Sequence, residues 1–309
     1  MRTRLPRKIE YDLLRRVARG FAGLARRLPL RWVHRLGNAS GRIVYALTPR
    51  RQRRADRNLV AIFGERFDAR QRKRIRLRST QNVAKTMLEL LRLPVMSDAE
   101  WERQITVRGR EHVDKVFAEG RGAVLVTAHF GNWELVAATC ARLGWVGKVI
   151  ARDANDPATA DIINSARNSV GVQVLAREKI REMLRTLRKP NFLGILPDQH
   201  ALSGGIWVDF LGRPASTFTG PATLARSTGA AIIPCFGRRR PDETIDVYFL
   251  PPLDLTRSED READVRAGTE VLNEVLGNEI RKHPEQWLWL HNRWRTAEPG
   301  GERLEAGNS

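Results

Sequence analysis

The residues best placed to do chemistry are His129 and Glu134, within Thr127-Ala128-His129-Phe130-Gly131-Asn132-Trp133-Glu134-Leu135. A carboxylate that accepts a hydrogen bond from one imidazole nitrogen fixes the tautomer and leaves the other nitrogen as a general base. Such a base can take the proton of a hydroxyl attacking a thioester. Backbone N–H groups around Gly131 are candidate donors to the oxyanion of that attack. The arrangement is two-thirds of a serine triad, with the substrate's own hydroxyl in place of the serine. A histidine and a glutamate five residues apart mean little alone, and a structural or surface histidine is the bland alternative. Position separates the two. His34, His112, His200, His283 and His291 lack a comparable setting.

That setting is built by the flanking elements. Ala123–Thr127 (AVLVT) is a continuous apolar run, the pattern of a strand buried on both faces. Trp133–Leu143 has a helical pattern, so His129 is expected at the C-terminal edge of a strand. Gly131 permits the sharp turn, and Asn132 can cap the helix. Glu134 falls in the first helical turn, where the helix dipole favours a carboxylate. Further strands are predicted at Val146–Ala151, Val172–Leu175, Phe192–Leu196, Ala231–Phe236 and Ile245–Leu250. Helices are predicted at Pro157–Val170, Glu178–Arg188, Pro221–Thr228 and Asp264–Lys282. This alternation predicts an α/β fold with a mostly parallel central sheet flanked by helices. In such sheets functional groups gather where strands end.

Charge divides the chain differently. Residues 1–80 hold 24 Lys/Arg against five Asp/Glu, while the other 229 residues hold 30 of each sign. All of the net +19 therefore sits in one N-terminal segment, an adhesive surface for something anionic. Residues 1–95 read as helical, with helices expected around Val33–Leu47 and from Arg72 to Leu93, closed by Pro94. Ahead of them Ile9, Leu13, Val17, Phe21, Leu24 and Leu28 recur every three or four residues among Arg15, Arg16, Arg19, Arg26 and Arg27. This is a basic amphipathic helix able to lie in a membrane interface, or else a helix docked on its own domain with solvated arginines. No apolar run approaches the roughly 18 residues of a spanning helix, and no secretory signal pattern is present. The organisation expected is a basic helical membrane-surface segment over 1–95, an α/β domain over 96–298 and a frayed tail over 299–309.

The two cysteines, Cys140 and Cys235, lie in apolar surroundings without metal-ligand spacing, which favours a reducing compartment over a disulfide framework. A covalent cysteine nucleophile is not indicated. Neither a metal nor a nucleotide cofactor is implied. Trp287, Trp289 and Trp294 fit either an interfacial aromatic belt or core packing.

HFGNWE resembles the H-x-x-x-x-D/E motif of the lysophospholipid acyltransferase superfamily, and more closely the bacterial lipid A biosynthesis acyltransferases, the late lauroyl/myristoyl transferases. The likeness runs along nearly the whole chain. It takes in Asn58-Leu59, Ser165-Ala166-Arg167, LPDQ at Leu196–Gln199, VDFLGRPAST at Val208–Thr217, TGAAIIP at Thr228–Pro234 and PEQWLWLHNRWR at Pro284–Arg295. The resemblance implies a catalytic dyad of His129 and Glu134, with Arg167 and Asp198 as further functional residues. Arg167 suits a phosphate of the acceptor, because a guanidinium forks onto phosphate oxygens; its alternative is a solvated helix arginine. Asp198, at a predicted strand end, can bind acceptor hydroxyls, support the site or cap the next turn. Gly131 and Asn132 are placed with these two on the substrate-binding side of the loop.

The resemblance also implies an acylated acyl carrier protein as donor, an acidic partner for the basic segment, with acyl-CoA the other possible thioester. It implies a glycolipid acceptor: a Kdo-modified lipid A precursor, or alternatively a phosphatidylinositol mannoside or a lysophospholipid. The expected place is the cytoplasmic face of the bacterial inner membrane, peripheral or monotopic, on an anionic lipid surface. Many family members carry a plainly hydrophobic N-terminal anchor, whereas this chain offers an arginine-rich one. A nucleic-acid-binding protein is the rival from another class, argued from the pI of about 11.2. The electrically balanced body and the lack of a nucleic-acid motif speak against it. A hydrolase using the same pair on water and an idle lipid-binding relative complete the alternatives.

Overall fold

A computed structural model describes residues 22–151, 157–255 and 257–296, together with Arg16 and Gly20. Its centre is β2 (Ala123–Val126), buried at every residue because parallel neighbours flank it on both sides. These are β5 (Phe192–Ile195) and β8 (Ala231–Arg239). With β1 (Ile105–Arg108), β3 (Gly147–Ile150), β4 (Gln173–Leu175) and β9 (Ile245–Phe249) they form a seven-stranded sheet in the order β1-β9-β8-β2-β5-β3-β4. Only the β8–β9 pair is antiparallel. The predicted α/β architecture is the one observed.

Alternating side chains send the sheet's apolar surface in two directions. On one face Leu125, Phe192 and Ile233 pack with Leu135, Val136 and Ala138 of the helix Trp133–Arg142. On the other, Val126, Leu193, Ile195 and Ile232 pack with Leu224 of Gly220–Thr228 and Leu272, Leu276 and Ile280 of Arg261–Lys282. Each such fully buried side chain is worth about 1.5–3 kcal/mol. The chain thus leaves β2 across one face towards β3, and leaves β5 across the other towards β8. Adjacent strands whose connections depart to opposite faces leave a crevice at their C-terminal ends.

The predicted strands and helices of the body are present, with bounds shifted by one to three residues. Five elements of the body are absent from the sequence reading: the helices Asp98–Gln104 and Arg110–Ala118, strand β1, and the two strands of an antiparallel hairpin, β6 (Ile206–Asp209) and β7 (Pro214–Thr217). The hairpin turns through Leu211 and Gly212, both with positive φ. Such turns are usually marked by Asn-Gly or Asp-Gly, so Leu-Gly hides this one.

Ahead of the sheet stand the helices Leu30–Leu47, Pro49–Phe63 and Ala69–Arg92, with residues 22–27 also helical. Asp68 and Gln71 form a capping box that opens Ala69–Arg92, which stops before Pro94 as the sequence requires. Gly37 and Gly41 let Leu30–Leu47 approach Lys85 and Gln81 so closely that a Cβ at either position would overlap them. The opposite face of that helix leaves Trp32, Ile43 and Leu47 exposed. Of the N-terminal amphipathic stripe, Ile9, Leu13, Val17 and Phe21 lie outside the described residues, as does the tail beyond residue 296. No helix among the described residues is long and apolar enough to cross a membrane.

Of the two readings of the C-terminal tryptophans, core packing is the one observed: Trp287 and Trp289 are each 1% exposed, and Trp294 packs beside Trp287 against Phe210.

Candidate active site

Parallel register assembles the site. Val126 of β2 pairs with Ile195 of β5, and three residues beyond each stand His129 and Asp198. The His129 Nδ1 and Asp198 Oδ1 atoms are 2.8 Å apart, and the His129 backbone N–H donates to Asp198 Oδ2 at 2.8 Å. Trp287 Nε1 donates to the same oxygen at 2.8 Å. Asp198 is 1% exposed, so these donors replace the water an ionised carboxylate would otherwise need. Burial pushes its pKa up, but the charge and hydrogen bonds of His129 and the Trp287 N–H prevail and hold it below the usual carboxylate value.

His129 is therefore gripped on its Nδ1 side, and Nε2 is left with a lone pair. Burial lowers the pKa of the ring; the charge and hydrogen bond of Asp198, helped by the Glu134 charge, outweigh this and raise it above the ordinary 6.5. Arg177 acts in the opposite direction. The imidazole side chain keeps 21% of its surface accessible and opens into a cavity of about 270 Å³. Thr127, His129, Glu134, Arg167, Arg177 and Gln199 are among the polar side chains around this space. Leu125, Val136, Ala137, Val149 and Phe192 give it apolar walls between the helix Trp133–Arg142 and the sheet. Gly194 lines the same cavity and adds no side chain of its own.

Glu134 differs from expectation. It does not hold the His129 ring; Asp198 does. The Glu134 carboxylate, 5% exposed, receives the Arg167 guanidinium in a two-pronged pair, Nε to Oε2 at 2.9 Å and Nη2 to Oε1 at 2.7 Å. Trp133 Nε1 donates to Oε1 at 3.0 Å. A carboxylate so satisfied reaches the imidazole through its charge alone. Arg167 is correspondingly paired with Glu134 through Nε and Nη2; burial lowers its pKa, but the pairing raises it overall.

The loop's backbone also departs from expectation. Gly131 adopts φ +55°, and its N–H donates to the Gln286 carbonyl at 2.9 Å. The Asn132 N–H donates to Gly237 O at 2.6 Å, and the Phe130 N–H to Ala128 O at 2.7 Å. With the His129 N–H on Asp198, the N–H groups of residues 129–132 are all engaged, so they are not oxyanion donors. Asn132 caps its helix as predicted, accepting from Leu135 N–H at 3.0 Å. It is fully buried, however, and its amide donates to Glu89 Oε2 at 2.6 Å, so it faces away from substrate.

Behind the loop lies a second charged cluster that sequence reasoning missed. Arg239 donates to both Glu89 oxygens, at 2.7 and 2.6 Å, and His34 Nε2 lies 2.7 Å from Glu89 Oε1. Asn82, which accepts from Arg239 Nε at 2.8 Å, donates to Gly131 O at 2.8 Å, as does Thr86 at 3.0 Å. Burial pushes the Glu89 pKa up, but Arg239 and His34 bring it down to about 2. Arg177 and Gln199 were also missed. Gln199 follows Asp198 within the LPDQ run, a position that already pointed to it. Cys140 and Cys235 both line the cavity, and burial raises both thiols, which leaves them un-ionised.

The arrangement can deprotonate a hydroxyl beside a cavity that has apolar walls on one side. The sequence model for the bacterial lipid A biosynthesis acyltransferases matches residues 6–296. The chain is 28% identical to the lipid A biosynthesis lauroyltransferase of Escherichia coli K12, over 91% of each chain. It is 29% identical to the phosphatidylinositol mannoside acyltransferase of Mycobacterium tuberculosis CDC 1551, over 70% of this chain and 69% of that one. With the E. coli lipid A biosynthesis palmitoleoyltransferase the identity is 23%, over 87% of each. A match spanning the helical layer, the sheet and the closing tryptophan segment means that this chain belongs to the bacterial lipid A biosynthesis acyltransferase family and is an O-acyltransferase.

Proposed function

We propose that the protein transfers a fatty acyl chain from an acyl-carrier-protein thioester to a hydroxyl of a lipid A precursor or related glycolipid, with His129 as general base oriented by Asp198. The observation that carries this reading is the His129 ring. Its Nδ1 is held by a buried carboxylate while its imidazole lines a cavity with apolar walls. The acyl chain lies along Leu125, Val136, Val149 and Phe192, with its thioester carbonyl at the His129 end. His129 Nε2 takes the proton of the acceptor hydroxyl as its oxygen attacks the carbonyl carbon. Collapse of the tetrahedral intermediate expels the thiol, which leaves with that proton. Glu134 and Arg167 brace the helix start beside the ring. Arg177, at the cavity with no hydrogen bond or ion pair among the described residues, is the cation available to a phosphate of donor or acceptor.

This reading includes a peripheral or monotopic place on the cytoplasmic face of the inner membrane, for which an exposed surface gives support. Exposed Trp32, Ile43, Val44, Leu47 and Val60 stand among Arg31, Arg35, Arg42, Arg50, Arg51, Arg53 and Arg57. Apolar side chains ringed by arginines suit an anionic bilayer surface. An acidic acyl carrier protein suits the same charge.

The test supplies labelled acyl carrier protein or acyl-CoA with a Kdo-modified lipid A precursor, a phosphatidylinositol mannoside or a lysophospholipid, and identifies products by mass spectrometry. An acylated glycolipid formed by the wild type and lost at least ~10³-fold in His129→Ala is the expected result. Turnover undiminished by that substitution sinks the mechanism. Flotation with anionic vesicles, compared with duplex DNA binding at matched salt, decides the surface.

A further inference from the structure

The attack on a thioester carbonyl makes an oxyanion, and some donor must meet it. Residues 129–132 cannot supply it, because their N–H groups are spent on Asp198, Ala128, Gln286 and Gly237. Arg167 is committed to Glu134, as is the Trp133 indole N–H. Of the polar side chains that remain at the cavity, Thr127, Arg177 and Gln199, it is Gln199 that reaches the base, with Nε2 3.3 Å from His129 Nε2. Asp198 holds the proton of the ring on Nδ1, so His129 Nε2 presents a lone pair. Only the N–H₂ end of an amide can sit against a lone pair; the carbonyl end would be repelled. The Gln199 side chain is half-buried, faces the cavity, and follows directly on the residue that orients the base.

We propose that Gln199 is a further catalytic residue, which caps the His129 lone pair in the free enzyme and turns to donate to the thioester oxyanion once the acceptor hydroxyl takes its place. The proposal rests on the acyl-transfer reading. The hydroxyl proton passes to His129 Nε2 as the oxygen bonds to the carbonyl carbon. The carbonyl π pair moves to the oxygen, where the Gln199 N–H holds it. When the pair returns, the C–S bond breaks, and the thiolate takes the proton back from His129. A donor at this place favours the tetrahedral state over the planar thioester, so it acts on kcat more than on KM.

The experiment compares wild type, Gln199→Met and Gln199→Ala with acyl carrier protein thioester and glycolipid acceptor. Methionine keeps the length and volume of glutamine without a donor, and both variants are checked for wild-type melting. The expected result is a fall in kcat of about 10²–10³-fold with KM changed by less than about threefold. The acid limb of kcat/KM also moves to higher pH, because the neutral imidazole loses a hydrogen bond that favoured it. A merely space-filling glutamine moves neither quantity in Gln199→Met. If the wild type transfers acyl chains and Gln199→Met keeps kcat within threefold, the proposal is overturned and the acyl-transfer reading stands. If the wild type transfers none, both fall together.

Discussion

Two charged clusters grip the same loop from opposite sides. Behind it, Glu89 has both oxygens engaged by Arg239, Asn132 and His34, and that cluster holds Gly131 through Asn82 and reaches Asn132 directly. In front, Asp198 is equally saturated, but the group it holds is not. His129 keeps Nε2 turned to an open cavity, and Gln199 and Arg177 stand beside it. The closed cluster fixes a backbone, while the open one leaves a lone pair and donors for substrate. Full satisfaction marks the scaffold, and a deliberate shortfall marks the chemistry.

The contrast is broken most severely at Asp198. In Asp198→Asn the amide can donate to His129 Nδ1, which drives the ring proton to Nε2 and removes the base. A fall in kcat of about 10³–10⁴-fold with a nearly unchanged melting temperature is expected from steady-state kinetics and calorimetry. Glu89→Gln should do the reverse, costing roughly 3 kcal/mol in urea unfolding because Arg239 stays buried with only the more distant Glu243, at 3.4 Å, as counter-charge. The folded Glu89 pKa of about 2 lies below the ordinary 4.5, so its contribution is present above pH 4.5 and lost as pH falls towards 2. Wild type and Glu89→Gln should therefore converge in stability over that window. Unfolding measured at pH 7 and pH 3 checks this.

Smaller effects sharpen the front of the comparison. Glu134→Gln leaves Arg167 half-paired and removes a negative charge near His129. We expect a loss of about 10–10²-fold in kcat and an acid limb of kcat/KM displaced to lower pH, since that charge raises the ring's pKa. Arg177→Ala should displace the limb the other way, to higher pH, because the guanidinium lowers the pKa of the ring. Its loss should also raise KM roughly tenfold for a phosphate-bearing substrate, with kcat altered least of all the variants. Parallel pH profiles of the two variants, moving in opposite directions, are the signature; movement in one direction would place one of the charges elsewhere.

Much of this was legible beforehand for a local reason. AVLVT can be nothing but a doubly buried strand in an α/β protein, and Gly131 and Asn132 announce a turn and a cap, because short-range sterics and capping act within a few residues. His129 at a strand end followed from that alone. The partner of His129 did not follow. Glu134 is five residues away along the chain, and the eye pairs what is near in sequence. Asp198 is 69 residues away, and only the parallel register of β2 with β5 sets it on the ring.

From sequence the arginine of the helix before β4 fits a phosphate ligand or a solvated helix position, since nothing local reveals that Glu134 occupies its fork. The tryptophans near the C-terminus were ambiguous for the same reason. Whether an indole meets lipid, packs in a core or braces a carboxylate is decided by which surface the returning chain covers, as it is for Trp287 on Asp198. Pattern determined the elements and the place of the base. Tertiary structure decided its partners, because strand order and register bring together groups that no periodicity connects.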